Sequence, residues 1–330
     1  MIVTVVSMPE GTVTRTGVAQ ARERLATAGF LLVDVELSEE PPVEAPPVSH
    51  QLGLEAEELT WLGREGEPAR AEFLGDQATF VIPVVKGGEV AHVHALVTER
   101  YLLTVHRGQA GLRESITAQL RSERPSDTVA VLFLLLQEAL ATYRRSAVQD
   151  LLLVEELEDE MFEGRRPDQV YRLSQLRRHS ALLHHSLLPY LQVVDEMFTR
   201  RMMMNSSLPE ERQRLAHEFQ HTARLVHTDI ESLQDASRRA FASYSTLVSG
   251  EQNAVINRLA IVSVIFLPLS FLTGFFGMNF TYLTDELESK AVFWLLAIGL
   301  QVVVVCVALY VLHRTRIWRR LRDEEGTDDR

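Results

Sequence analysis

Cysteine is nearly absent: the 330 residues hold one, Cys306, so no disulfide can form within the chain and nothing points to an oxidising compartment. Lysine is almost as scarce, occurring only at Lys86 and Lys290, and arginine carries the basic charge. The opening MIVTVVSMPEGT is too short for a secretory signal and lacks its basic n-region, so the soluble part of the chain is expected to stay on the side of the membrane where it is made. No GxxxxGK[ST] phosphate loop occurs, and nothing indicates ATP as an energy source. Acidic residues outnumber basic ones to a net charge of −12, which argues against nucleic acid as a partner. That charge suits cation attraction, although solubility alone would explain it.

One stretch lacks charge altogether. From Leu259 to Phe276 there is no Asp, Glu, Lys or Arg, and about eighteen helical residues at 1.5 Å each cross most of a hydrocarbon core. The stretch ends in Gly277, Met278 and Asn279, where a helix is expected to stop because Gly and Asn tolerate backbone geometry other residues resist. After about fourteen residues a second apolar run, Ala291 to Leu312, is long enough to span with some tilt. Together they predict a transmembrane hairpin. Arg314, Arg316, Arg319, Arg320 and Arg322 crowd just beyond it, whereas the connecting loop carries Asp285, Glu286 and Glu288 against Lys290. By the positive-inside rule both termini face the cytoplasm and the loop faces outward.

A span closing in GMNF, a short acidic loop, a second span and a basic tail resemble the CorA-type magnesium transporter family. FLPLSFLTGFFGMNF, with Pro268 in mid-span, and NAVINRL from Asn253 to Leu259 strengthen the likeness, which extends over nearly the whole chain. The resemblance implies an α+β membrane protein: an N-terminal cytosolic α/β domain, a long helical funnel or stalk, and two transmembrane helices per subunit in a homopentamer. The corresponding regions are 1–124, 125–250 and 251–330.

From Met1 to about Gly108, β-rich runs at IVTVV, FLLVDVEL, ATFVIPVVK, EVAHVHALV and YLLTVH are punctuated by Gly and Pro, and they predict a small α/β domain. PPVEAPPVSH reads as a turn-rich connection, followed by a helix from Ser49 through Trp61 carrying Glu55, Glu57 and Glu58. After Pro125 the spacing becomes helical until Gly164 and Pro167, then again from Asp168 to about Met204. A third helix from near Pro209 meets no Gly or Pro until Gly250 and is expected to run straight into the first span, about sixty residues and roughly 90 Å in all. VLFLLLQEAL could be mistaken for a span, but Glu138 interrupts it and a buried helix is predicted.

Asn253, Ile256, Leu259, Ser263, Leu267, Ser270 and Gly274 recur at intervals of three or four and share one helical face. The resemblance implies that this face lines a pore, with five copies stacking rings of amide, apolar and hydroxyl groups. Apolar rings of that kind can gate by dewetting. Gly277, Met278 and Asn279 would form the selectivity filter. A ring of neutral Asn279 oxygens suits Mg²⁺, which keeps its waters, and releases the ion more readily than carboxylates would. Asn279 read simply as a helix cap is compatible with that role. The implied activity is potential-driven transport of a divalent cation at the bacterial inner membrane, not an enzymatic reaction. Magnesium comes first, with zinc, cobalt or nickel as alternatives and a non-transporting two-span adaptor as a different class. The partners expected are divalent ions, membrane lipid and further copies of the chain. No cofactor is expected beyond the ion itself.

Histidines carry the competing signal. HEFQH at His217 to His221 matches HExxH, in which two His would hold zinc and Glu218 would act as base. A catalytic zinc needs a third protein ligand, and the stretch lies on a rod without a cleft. A surface pair is the plainer reading, and a regulatory metal site at His217, His221 and His227 the more interesting one. His92 and His94 share a strand face and are read as solvated. Adjacent His184 and His185 point roughly 100° apart on a helix, poor geometry for one ion. Two departures from the family pattern bear on regulation and ion choice: TYLTDEL follows GMNF, with Thr281 and Thr284 where an acidic residue and Pro are usual. Ala242 stands about eleven residues before Asn253, where the family places a regulatory aspartate.

Overall fold

A computed structural model of the chain describes residues 1–8, 10–27, 29–38, 47–54, 62, 67–74, 77–108, 112–204, 209–278, 291 and 294–314. They divide into two units, Met1–Phe241 and Ala242–Arg330.

The first unit is built on seven strands: β1 (Ile2–Ser7), β2 (Thr12–Thr16), β3 (Leu31–Leu37), β4 (Arg70–Leu74), β5 (Gln77–Lys86), β6 (Glu89–Val97) and β7 (Tyr101–Arg107). Their order across the sheet is β2-β1-β3-β7-β6-β5-β4. β3 and β7 run parallel, with Asp34 opposite Thr104, and every other pair is antiparallel. Gly87 and Gly88, with φ of 60° and 84°, make the two-residue turn between β5 and β6, where both central positions need left-handed backbone.

Both faces of the sheet are covered, which is why its strands read as nearly continuous apolar runs. On one face Val3, Val5, Val33, Val35, Leu103 and Val105 pack with Ala21 and Leu25 of helix α1 (Val18–Thr27) and with Val48 of the short α2 (Val48–Gln51). Of the predicted helix from Ser49 through Trp61, α2 covers the start: it ends at Gln51, and Gly53 turns with φ 71°, while residues 55–61, with Glu55, Glu57 and Glu58, lie outside the described residues. On the other face Leu32, Leu102 and Val93 lie under helix α3 (Leu112–Glu123) and the start of α4 (Thr128–Glu163). Thr142 ties the layers together, since its hydroxyl accepts from the Val85 N–H at 2.9 Å and donates to Ala139 O.

Asp127 caps α4 through the Ala130 N–H at 2.8 Å, and Gly164 follows its last residue. VLFLLLQEAL is a buried part of α4, as predicted, and Glu138 is buried with it, accepting from Arg145 at 2.9 Å and Gln119 at 3.1 Å. Beyond it Ala147, Val154, Leu157 and Met161 continue as a narrow stripe. Helix α5 (Pro167–Met204) starts with Pro at its first position, where the missing N–H costs nothing. It buries Leu173 and then Ser180, Leu183, Leu187, Tyr190, Val194 and Met197, the last six at three- and four-residue steps.

The next helix, α6 (Glu210–Phe276), runs for 67 residues and buries Leu215, Phe219, Ala223, Val226, Ile230, Leu233, Ala236 and Ala240 at the same spacing. Stripes of this kind interlock in the manner of a coiled coil. Tyr190 anchors the three helices: its hydroxyl donates to Leu136 O at 2.8 Å on α4, and its ring meets Phe219 of α6 edge-on at 6.1 Å. Each fully buried Leu, Ile or Phe here contributes roughly 1.5–3 kcal/mol.

The second unit contains the rest of α6, where Gly250 and Pro268 sit inside an unbroken helix as expected. Its window from the apolar stretch is long enough to cross a membrane and is wholly unburied. Leu267 is 76% exposed and Phe271 71%, an apolar surface that water does not favour. The second apolar run is described at Ala291, in a π-helical turn Trp294–Gly299 and in helix α7 (Leu300–Arg314).

Candidate ion pathway

Each unit carries its own candidate residues. In the second unit the spacing from Asn253 to Gly274 holds as read: all seven predicted pore-facing residues lie on α6 and all are exposed. The less exposed stripe, with Ile261, Ile265, Leu272 and Phe276, is on the opposite side of the helix. Ser263 turns its hydroxyl hydrogen back to Leu259 O at 2.9 Å and so presents oxygen lone pairs outward. Such lone pairs can accept from water or coordinate a cation. Pro268 has no N–H to give to the turn before it, which leaves one more backbone carbonyl free in mid-span.

The helix closes at Phe276 for a different reason from the one predicted. Among the described glycines a left-handed φ occurs at Gly11, Gly53, Gly87, Gly88 and Gly108, not at Gly277. Glycine at this position instead permits close approach: a Cβ would stand 3.1 Å from Thr273 O, which accepts the Gly277 N–H at 3.0 Å. Met278 follows, exposed, with its N–H on Phe275 O at 3.3 Å. Asn279, Asp285, Glu286 and Glu288, with Thr281 and Thr284, lie outside the described residues. Thr273 also makes an inter-helix polar contact: Gln301 of α7 donates to its hydroxyl at 3.4 Å, while that hydroxyl donates to Leu269 O. A glutamine inside an apolar run is the sequence signal for such a tie.

In the first unit His217, Glu218 and His221 of HEFQH are exposed on α6, while Phe219 between them is buried. Glu218 accepts from Arg214 at 2.8 Å, and the same Arg214 reaches Glu123 at 3.2 Å, so the carboxylate that would act as base is committed to an ion-pair network. His217 places Nδ1 on Gln213 O at 3.1 Å. Among the described residues no group of three metal-ligating side chains is assembled, around His217 and His221 or elsewhere. Ala242 is exposed, its carbonyl accepting from Thr246.

The other histidines depart from their expected settings. His94 is buried and His92 half-buried, both on the sheet face of Val81 and Leu96 rather than in solvent, and burial lowers the His92 pKa. His184 meets His227 of α6 with ring centres 5.9 Å apart, a pairing that adjacency to His185 could not suggest.

A further histidine, His106, was not singled out by its sequence setting. Buried between β3 and α3, it contacts Asp34 through Nε2 at 3.1 Å and Gly108 O through Nδ1 at 2.7 Å, while Thr104 donates to Asp34 at 2.7 Å. A carboxylate and a carbonyl are both acceptors, so only the doubly protonated ring satisfies both. Burial opposes that charge, but the Asp34 hydrogen bond and charge, helped by Gly108 and Glu36, outweigh it and raise the His106 pKa. The cavity beside this cluster, about 20 Å³, holds water at most and no organic substrate.

The chain matches the model of a family described as CorA-like Mg²⁺ transporter protein over residues 28–314. A protein of Thermotoga maritima named cobalt/magnesium transport protein CorA is 28% identical over 168 residues, 50% of this chain and 45% of that relative, so the aligned chain spans under half of the relative's length. A protein of the same name from Methanocaldococcus jannaschii is 22% identical over 228 residues, 66% of this chain and 69% of its own. Among solved structures, the complete CorA magnesium transporter from Methanocaldococcus jannaschii superposes with a TM-score of 0.73 at 19% identity, covering 95% of this chain and 97% of that one. The ZntB cytoplasmic domain from Vibrio parahaemolyticus RIMD 2210633 gives 0.53 at 11% identity, over 76% and 98%. At such identities the structural likeness speaks to the fold.

Proposed function

This chain belongs to the CorA-like Mg²⁺ transporter family, and on that premise we propose that it carries divalent cations, magnesium first, across a bacterial inner membrane. The family is one of transporters rather than enzymes. The observation that carries the reading is the stripe on α6: seven residues from Asn253 to Gly274, all exposed, on a helix long and apolar enough to span. Lipid would not select Asn253, Ser263 and Ser270 on one line, whereas an aqueous pore lined by several copies would.

Five copies around that stripe make the working assembly, with α7 and the apolar run before it forming the second span. Gly277, Met278 and Asn279 close the outer end as the filter, and Asp285, Glu286 and Glu288 concentrate cations outside it. The termini face the cytoplasm, where the arginines after Leu312 belong. Membrane potential suffices as a driving force, since each charge crossing 100 mV gains about 2.3 kcal/mol and a divalent ion about twice that.

The names of the Thermotoga and Methanocaldococcus relatives support magnesium and add cobalt. The test is flux into vesicles holding the purified protein under an inside-negative potential, with Mg²⁺, Co²⁺, Ni²⁺ and Zn²⁺ compared. Potential-dependent Mg²⁺ uptake is expected. Uptake of Zn²⁺ without Mg²⁺ would reassign the ion, and no uptake of any of the four would leave a two-span adaptor.

A further inference from the structure

The α5–α6 face of the first unit holds donor groups that ion conduction does not use. His184 and His227, 43 positions apart, meet across two helices with ring centres 5.9 Å apart and planes tilted by 41°. Glu231, one turn beyond His227, brings Oε2 to 3.5 Å from the His227 Nδ1. His184 and His227 are both half-buried, so the pair is held by the helices yet open to solvent.

These separations suit one metal ion. With metal–ligand distances near 2.0–2.1 Å, two imidazoles on a tetrahedral centre hold their rings roughly 5 Å apart, and a nitrogen and an oxygen on the same centre stand about 3.3 Å apart. The observed pairs exceed those values by under about 1 Å and by a few tenths of an ångström. Among the described residues no three donors already converge, so the ion itself would complete the site by drawing His184 inward. Such a shift is within the reach of a side-chain rotation on packed helices.

We propose that His184, His227 and Glu231 form a cytosolic binding site for a transition-metal dication of the zinc class, with water in the fourth position, distinct from the ion pathway. Two imidazoles and one carboxylate select zinc, cobalt or nickel over magnesium, which prefers oxygen and retains its waters. Arg224, one turn before His227, points the same way: a neighbouring cation disfavours ions held by charge alone more than ions held by coordination to nitrogen. Binding would clamp α5 to α6. The His217 and His221 pair is a weaker candidate because both residues lie on one helix, His217 Nδ1 is engaged by Gln213 O, and Glu218 is held by Arg214.

The test uses the full-length, tag-free protein in detergent, stripped with chelator and titrated with Co²⁺ and then Zn²⁺. A tetrahedral Co²⁺ absorption band is expected, displaced by Zn²⁺ and untouched by a hundredfold excess of Mg²⁺. His227→Gln should abolish it, His184→Gln should weaken Co²⁺ binding at least tenfold, and Glu231→Gln should weaken it less. The His217→Ala/His221→Ala variant should keep the band. Circular dichroism melts of the metal-free variants, unchanged from wild type, would show that the fold is intact, and His184→Gln with Glu231→Gln carry the test if His227→Gln fails to fold. A band that survives in the His184→Gln/His227→Gln double variant, or disappears only in the His217→Ala/His221→Ala one, overturns the proposal. The readout is binding, so it stands or falls independently of flux.

Discussion

Replacing Asp34 by alanine tests how the sheet of the first unit is stabilised. In the wild type this carboxylate accepts from both Thr104 and His106, with side chains only 11% and 9% exposed at Asp34 and His106. Removing one partner of a buried, hydrogen-bonded charge pair costs about 3–5 kcal/mol, because the other partner remains desolvated and unpaired. For a unit of this size each kcal/mol moves the melting temperature by about 2–4 °C, so Asp34→Ala should lower it by about 6–12 °C at pH 6 even at the low end of that range. The cost depends on pH with a definite sign. The His106 pKa is raised in the folded chain relative to about 6.5 in the unfolded one, so its contribution is complete below 6.5 and is lost as pH rises through the folded value. As pH rises through that folded value the ring becomes neutral in wild type as well, and the penalty of Asp34→Ala should shrink. Circular dichroism melts of wild type and variant in detergent at pH 6 and pH 9 measure both quantities. An equal loss at the two pH values, or a larger one at pH 9, would refute the account of His106 as a buried imidazolium.

Four other outcomes are expected. Tyr190→Phe, which deletes the bond to Leu136 O and keeps the ring against Phe219, should cost about 1 kcal/mol in a denaturant titration, and no change would show that bond to be without net worth. Asn279→Ala should abolish cation flux in vesicles while cross-linking still shows the wild-type oligomer; wild-type flux would remove Asn279 from the filter. In a Cys306→Ser background, a membrane-impermeant thiol reagent should label a cysteine at Thr284 from outside and one at Thr327 only after permeabilisation, with the reverse pattern inverting the topology. Internal Mg²⁺ should inhibit flux weakly or not at all, because Ala242 offers no ligand where the family places an aspartate; strong inhibition would locate the sensor elsewhere.

The helical half of the chain was legible because its signals are local. Pro167 opens α5, Gly164 closes α4, and the three- and four-residue spacing of Leu215, Phe219, Ala223, Val226 and Ile230 states the buried side of α6 directly. The shared face of Asn253 to Gly274 on α6 was legible for the same reason. The sheet was harder. β2 and β4 are edge strands, short and mixed in polarity as edges tend to be, and neither was read as a strand. Alternation in EVAHVHALV put His92 and His94 together correctly, but with apolar residues on both faces it could not say that neither face meets water. α3 was missed because LRESITAQLRSE buries only a narrow face, at Leu112, Ile116, Thr117 and Leu120. The pairs His184 with His227 and Asp34 with His106 join residues from separate elements, and no periodicity within one element reveals such a contact.

The strand order also sets a timetable for the nascent chain. β4 to β7 form an antiparallel meander whose neighbours are adjacent in sequence, so they can pair as soon as they emerge. β3 emerges earlier, yet its partner on one side is β7, which begins at Tyr101, so the ribbon of β2, β1 and β3 must wait for more than sixty residues with an open apolar edge. Loop closure of that length is entropically costly and slow beside hairpin formation. Joining of the two half-sheets at β3 and β7 is therefore the expected slow step of the first unit. Until it happens, Leu31, Val33 and Val35 form an open apolar edge to which another chain could add a strand.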